Sequence, residues 1–167
     1  AMVPPKGSLG TGPREGFRVG ARHLRAPEVV LGMEWTVVID LWSLGTLLYS
    51  LYTGDRLFRV HEDVEHLATM ERICEGRIPA ELARGVSPRI TAKGVSFEES
   101  TLRLVWPEEE VAEGILEQPT LRETVLPRHG PFLELLQGLL ELRPDRRLTA
   151  EAALKGAFVA GTAELVE

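Results

Sequence analysis

The sequence predicts a mainly α-helical domain that carries a small β-hairpin. Three observations predict it. Apolar residues recur at helical spacing in three long stretches, 37–52, 64–75 and 132–142. Each stretch runs into a residue that stops helices: Gly54, Gly76 or Pro144. Alternation suited to strands is confined to Val95-Ser96-Phe97 and Leu102-Arg103-Leu104-Val105-Trp106, with Glu98-Glu99-Ser100 as the turn between them.

A chain of 167 residues makes one ordinary domain, or one lobe of a larger one. Apolar content of 44% with 26% charged residues is globular rather than disordered. The net charge of −6 argues against a nucleic-acid surface, which needs clustered Lys and Arg, and suits basic peptide partners. The lone Cys74 excludes an intramolecular disulfide and fits a reducing compartment. No CxxC or HxxxH spacing occurs, so no metal site is expected. Residues 1–20 lack the apolar segment of a secretory signal. The longest apolar stretch falls short of the roughly 20 residues a membrane span requires. A soluble, intracellular protein is expected.

In chain order, residues 1–20 hold eight Gly and Pro residues and read as a loop. Pro27 opens a short helix to Leu31, which Gly32 ends. The helix Val37–Tyr52 carries Val38, Leu41, Leu44, Leu48, Leu51 and Tyr52 on one face and Ile39, Trp42, Leu47 and Tyr49 on the other. Being apolar nearly all round, it is expected in the middle of a core. Asp40 stands in its first turn, with Thr36 as the expected N-cap. A buried carboxylate there needs donors from elsewhere, and a structural tie to a neighbouring loop would supply them. Leu57 and Phe58 dock on the core, and Asp63 caps a helix over 64–75 whose stripe is Leu67, Met70, Ile73 and Cys74. Residues 83–128 are the least regular part and read as an insertion, with a solvated acidic run at 108–113. Pro131 opens the helix Phe132–Leu142, and Thr149 caps a last helix, Ala150–Leu154. The tail 161–167 frays.

Three motifs in this order resemble a known family. Arg25-Ala26-Pro27-Glu28, then Asp40-x-Trp42-Ser43-x-Gly45, resemble the end of the activation segment and the central helix of a eukaryotic protein kinase. Arg143-Pro144-Asp145-Arg146-Arg147-Leu148-Thr149 resembles the loop before the last kinase helix. Glu65-His66-Leu67-Ala68-Thr69-Met70-Glu71-Arg72 is one residue from the LAMMER signature of Cdc2-like, dual-specificity kinases of the CMGC group. Arg22-His23-Leu24-Arg25 resembles that family's Arg-His-Tyr-Arg, and Phe97 with Arg103-Leu104-x-Trp106 resembles its inserted hairpin. The resemblance covers residues 19–158. It implies a kinase C-terminal lobe over 21–160 with its insertion at 83–128, residues 1–20 being a remnant of the activation segment. It also implies that the N-terminal ATP-binding lobe is absent from the chain.

The resemblance assigns roles. Glu28 and Arg147 would form a buried ion pair tying the activation segment to the lobe, and an Arg fork suits a buried carboxylate. Asp40, with Trp42 and Gly45 as the helix anchor, would accept hydrogen bonds from a catalytic loop. Ala21, Arg22 and Arg25 would form the substrate-selecting loop, Arg25 shaping the pocket for the residue after the phosphoacceptor. A solvated basic pair is the plain alternative for the two arginines. The signature helix reads as packing, and His66 as a surface or hydrogen-bonded histidine rather than a base.

Phosphoryl transfer needs magnesium and phosphates positioned, and a carboxylate to orient the acceptor hydroxyl. His-Arg-Asp and Asp-Phe-Gly occur nowhere in residues 1–167, and Pro5-Lys6-Gly7-Ser8 stands where Asp-Phe-Gly-Ser is expected. Pro5 cannot coordinate the metal. Gly20-Ala21 replaces the usual Ser-Thr, and Leu24 replaces a tyrosine. No catalytic residue is therefore assigned. No cofactor is expected for this chain, with ATP and Mg2+ required only if an N-lobe lies upstream. Three functions stay open: a non-catalytic docking lobe for proteins or basic Arg/Ser-rich peptides, the C-lobe of an active kinase, or an unrelated helical interaction domain. Nucleus or cytoplasm is the expected location.

Overall fold

A computed structural model describes residues 19–161, so the expectations for 1–18, Pro5 included, and for 162–167 lie outside the described residues. Among the described residues the chain is helical. A 3-10 turn at Arg22–Leu24 precedes α1 (Pro27–Val30), α2 (Val38–Thr53), α3 (Asp63–Ile73), α4 (Ala80–Arg84) and α5 (Pro88–Thr91). After them come α6 (Glu109–Leu116), α7 (Leu121–Thr124), a 3-10 turn at Pro127–His129, α8 (Gly130–Leu139) and α9 (Ala150–Lys155).

Several boundaries follow directly from side-chain chemistry. Pro27 and Pro131 stand at helix starts, where a missing N–H costs nothing. Thr149 Oγ1 accepts from the Ala152 N–H at 3.1 Å and caps α9. Gly54 closes α2 with φ 78°, a left-handed conformation that Gly adopts without strain, while its N–H reaches the Ser50 carbonyl at 2.9 Å.

Other boundaries differ from expectation. Thr36 does not cap α2; the helix begins at Val38 after Val37, with no side-chain cap. Its backbone carbonyl instead takes the Ile39 N–H at 3.2 Å. Asp63 is the first helical residue of α3 rather than its cap. The cap position is Glu62, whose N–H donates to Glu65 Oε2 at 3.2 Å, so the two glutamates three apart outcompete Asp63 for the role. At the far end of α3 the left-handed residue is Glu75 (φ 51°), and the Gly76 N–H returns to the Glu71 carbonyl at 3.1 Å. The hairpin condenses to one antiparallel bridge, Phe97 with Leu104, closed through a left-handed Leu102 (φ 54°). No strand forms among the described residues, because only the bond pairs Glu98–Arg103 and Ser96–Val105 extend the pairing.

α2 packs on α8, and α3 packs on α6 and α1. One core unites Val30 and Leu31, Trp42, Phe58, Leu67, Met70, Leu136 and Leu140. Residues 83–128 contribute Ile90, Val95, Leu104, Ile115, Leu121 and Val125 to this same core. At about 1.5–3 kcal/mol for each large apolar side chain, those six make a substantial contribution to stability. The α2–α8 crossing is close because Gly45 lies in it: a Cβ there would stand 2.9 Å from Leu140 Cγ and 3.1 Å from Leu139 Cβ.

α2 is not buried all round. Its inward stripe is Ile39, Trp42, Gly45 and Thr46. Val37 (60% exposed), Leu47 (50%) and Leu51 (74%) stand in solvent with Leu44. Asp40 is on the exposed surface too. Periodicity alone could not choose between two apolar faces of one helix.

Candidate functional site

The segment 20–26 makes a 3-10 turn at Arg22–Leu24 before entering α1, and it is held at several points. The first hold is internal. Arg25 Nε and Nη2 both donate to the Gly20 carbonyl, at 3.2 and 3.1 Å, which closes the 3-10 turn at Arg22–Leu24 into a loop. The second comes from α2, where Ser43 Oγ lies 3.0 Å from the Leu24 carbonyl and 3.2 Å from the Ile39 carbonyl, a shared hydroxyl donor. The third comes from α3. Arg22 Nη1 donates to Asp63 Oδ1 at 2.9 Å, and that carboxylate is buried. A partly buried charge-assisted bond of this kind is shorter and stronger than a neutral one.

Behind the loop stands a fourth hold, the buried pair of Glu28 and Arg147. Arg147 Nη1 donates to Glu28 Oε1 at 2.7 Å, and Nη2 to Oε2 at 3.0 Å, a fork-to-fork geometry. Glu28 is 2% exposed and Arg147 4%. The rest of the guanidinium is satisfied as well: Nε donates to the Glu141 carbonyl at 3.1 Å, and Nη1 also to the Val38 carbonyl at 3.1 Å. Its carbon lies 5.3 Å from the Trp42 ring centroid, a cation–π contact.

From Trp42 a column of rings runs toward α3. Trp42 stacks on Phe58 with centroids 6.0 Å apart and planes 5° apart, and Phe58 meets His66 at 5.0 Å. His66 is fully buried, and neither ring nitrogen has a hydrogen-bond partner among the described residues. This corrects the expectation of a surface or hydrogen-bonded histidine. Burial is the main cause that holds its pKa down at about 3, and the nearby Arg22 adds to it, so the ring is neutral. His66 thus packs as an aromatic ring against Phe58. Helix α3 thus meets the segment 20–28 directly through Asp63 and, by way of Phe58, Trp42 and Arg147, through the ring column.

The structure therefore brings together Arg22, Arg25, Glu28, Trp42 and Arg147, while Gly45 serves the α2–α8 contact. Ala21 is exposed beside Gly20. Asp40 lies apart on the solvent side of α2, where the need for buried donors does not arise. Sequence reasoning missed Asp63 and Ser43 as supports and Phe58 as the link in the column. The Glu62-x-x-Glu65 spacing was the available signal that Glu62, not Asp63, caps the helix. Among the described residues, no group of three or more His, Cys, Asp and Glu is placed to hold a metal ion. No helix among them is long and apolar enough to cross a membrane.

Comparison with known proteins follows the same lines. The family model described as Protein kinase domain matches residues 10–159. Serine/threonine-protein kinase AFC2 of Arabidopsis thaliana is 35% identical over 156 residues, covering 86% of this chain and 34% of its own length. AFC3 of the same plant is 38% identical over 149 residues, covering 84% and 36%. Human dual specificity protein kinase CLK2 is 36% identical over 147 residues, covering 85% and 28%. A crystal structure of a kinase domain superposes with a TM-score of 0.74 at 33% identity, covering 83% of this chain and 40% of that one. The chain spans about a third of the length of the curated relatives it matches. With its buried Glu28–Arg147 fork and its Asp40-x-Trp42-Ser43-x-Gly45 helix, the chain belongs to the protein kinase domain family, as a partial domain similar to the AFC (LAMMER) and CLK kinases.

Proposed function

We propose that this chain is the docking lobe of a LAMMER/Cdc2-like serine/threonine (dual-specificity) kinase domain, and that by itself it neither binds Mg-ATP nor transfers phosphate. The observation that carries the proposal is the state of the substrate loop. Arg22 is held by Asp63 and Arg25 by the Gly20 carbonyl, while Ser43 holds the Leu24 carbonyl between them and the Glu28–Arg147 fork fixes the end of the segment. That machinery keeps a peptide-binding edge in shape. The groups that chemistry needs, His-Arg-Asp and Asp-Phe-Gly, are missing from the sequence. Arg25 and Ala21 would border the pocket for the residue after the phosphoacceptor, and a basic Arg/Ser-rich peptide suits a chain of net charge −6. Nucleus or cytoplasm is the location proposed, with no nucleic acid and no membrane as partner. The test is paired. An Arg-Ser-rich peptide should bind by fluorescence anisotropy, while Mg-ATP gives no thermal stabilisation and no label reaches the peptide. Transfer of label to the peptide would overturn the proposal.

One observation favours a second reading, the C-lobe of an active kinase whose N-lobe and catalytic loop belong to a longer protein. Val37, Leu44, Leu47 and Leu51 form an exposed apolar face on α2, with Asp40 at its start. Such a face supports covering by further polypeptide, and Asp40 would then meet the catalytic loop's backbone donors. ATP and Mg2+ would be the cofactors of that longer protein. Sequencing the transcript upstream of the Ala1 codon separates the two: an encoded Gly-rich loop, strand lysine and Asp-Phe-Gly establish the second.

A further inference from the structure

The groove at the C-terminal end of α3 has no part in the surface described above. Residues 71–77, the segment 103–106 and the end of α6 border an open cavity of about 480 Å3. Five charged side chains line it, and their partners are unevenly shared. Both acids are engaged. Glu71 accepts from the Ile78 N–H at 2.8 Å and from the Trp106 indole N–H at 2.7 Å, and Glu75 forms an ion pair with Arg122 at 3.1 Å. Arg72 is partly committed, donating from Nε to the Gln118 carbonyl at 2.9 Å and from Nη2 to Glu123 at 3.3 Å. The guanidinium groups of Arg77 and Arg103 have no ion pair or hydrogen bond among the described residues.

Two unpartnered guanidinium groups therefore line one cavity of a chain whose net charge is −6. A bound anion would bring charge of the opposite sign to both. A carboxylate brings one charge. A phosphate monoester brings nearly two and three acceptor oxygens, which matches two planar donor forks. The remaining lining gives the carrier: Leu104, Trp106 and the exposed Leu116 supply apolar surface next to the cations. A small molecule prefers a pocket that encloses most of its surface, whereas an open groove with an apolar edge suits an extended chain.

We propose that this groove binds a phosphoserine side chain of an extended peptide, Arg77 and Arg103 holding the phosphate and the Trp106–Leu116 edge taking the neighbouring residues. The inference goes beyond the docking proposal and does not depend on whether the protein transfers phosphate. It would let the lobe recognise a partner already phosphorylated, at a face separate from the Arg22–Arg25 loop.

The experiment uses the whole chain and a degenerate seven-residue peptide library with a fixed central phosphoserine, compared with its unphosphorylated counterpart and with inorganic phosphate. Fluorescence anisotropy reads the affinity, and the indole N–H resonance of Trp106 reports the place. The phosphorylated library should bind at least about tenfold more tightly than the unphosphorylated one, lose affinity as salt is raised, and shift the Trp106 signal. R77A/R103A should abolish that preference, and R77Q should weaken it, while R89A on exposed α5 leaves it intact. The variants lie on the surface, and an unchanged thermal midpoint confirms their fold. Equal binding of both libraries, or a preference that survives R77A/R103A, overturns the proposal. Inorganic phosphate competing as well as the phosphopeptide overturns the peptide part of it.

Discussion

Removing the carboxylate of Glu28 should be among the most damaging single changes the lobe can suffer. The pair it forms with Arg147 is fully enclosed, and both oxygens are used. In Glu28→Ala the guanidinium keeps the carbonyls of Glu141 and Val38 and the face of Trp42, but it loses its only counter-charge in the pair. Breaking a buried ion pair from one side costs about 3–5 kcal/mol, against a total stability of about 5–15 kcal/mol for an ordinary domain. Glu28→Gln keeps an acceptor and a similar shape, so its cost should be smaller, about 1.5–3 kcal/mol for a lost charged hydrogen bond. Arg147→Lys should fall near Glu28→Ala, because one ammonium cannot serve Glu28 twice, Glu141 and Val38 while stacking on Trp42. The double variant Glu28→Leu/Arg147→Met should cost much less than the sum of the single losses, since no orphaned charge remains. Urea unfolding followed by Trp fluorescence measures all four. Additive losses, or a Glu28→Ala cost below about 1 kcal/mol, would refute the pair as the anchor of segment 20–28.

Three further outcomes are expected. Because the folded state holds His66 neutral down to about pH 3, the unfolded chain alone takes up a proton below its ordinary pKa of about 6.5. That stability is present above pH 6.5 and is lost as pH falls. The loss between pH 7 and pH 5 is about 2 kcal/mol, and unfolding of His66→Phe should lack this part of the slope; parallel pH profiles for the two proteins would exclude it. Gly45→Ala should destabilise by about 1–3 kcal/mol despite alanine's better helix propensity, because its methyl group meets Leu140; a raised thermal midpoint would show that α8 yields. Asp63→Asn should free Arg22 and speed proteolysis within residues 20–26 with little change in global stability, and an unchanged cleavage rate would show that Gly20 and Ser43 suffice to hold the loop.

Some features of this fold are legible from local chemistry and some are not. Pro27, Pro131, Gly54 and Thr149 each mark a helix end by a rule that acts within a few residues, and all four marks stand. The Glu28–Arg147 contact spans 119 positions in sequence, so no local rule reaches it; only the resemblance between motifs made it an expectation. His66 was misread for the opposite reason. A histidine next to Glu65 on a helix start reads as polar, yet Phe58 and the helix's inward face hold it in the core with its nitrogens unpaired. The two strands were over-read because alternation in Leu102–Trp106 signals two faces, not pairing length. Leu104 points inward, Trp106 reaches Glu71, and only one bridge is needed to hold both.

The central helix carries the deepest disagreement between local code and observed burial. Its composition calls for apolar surroundings on every side, while residues 19–161 bury it fully along Ile39, Trp42, Gly45 and Thr46 and partly along Leu41, Leu48, Tyr49 and Tyr52. Exposed leucines are unremarkable singly, but Leu44, Leu47 and Leu51 with Val37 lie along one helix and leave a connected apolar surface. The opposite side shows what covering achieves, down to a glycine that lets α8 approach. The same helix thus records two interfaces, one filled by α8, Phe58 and Arg147, the other open. If the open one is filled in the working protein, Asp40 stops being a solvated carboxylate and becomes an acceptor at a buried helix start. An Asp40→Asn change that leaves this chain's stability untouched but weakens a longer protein would place a neighbour at that spot.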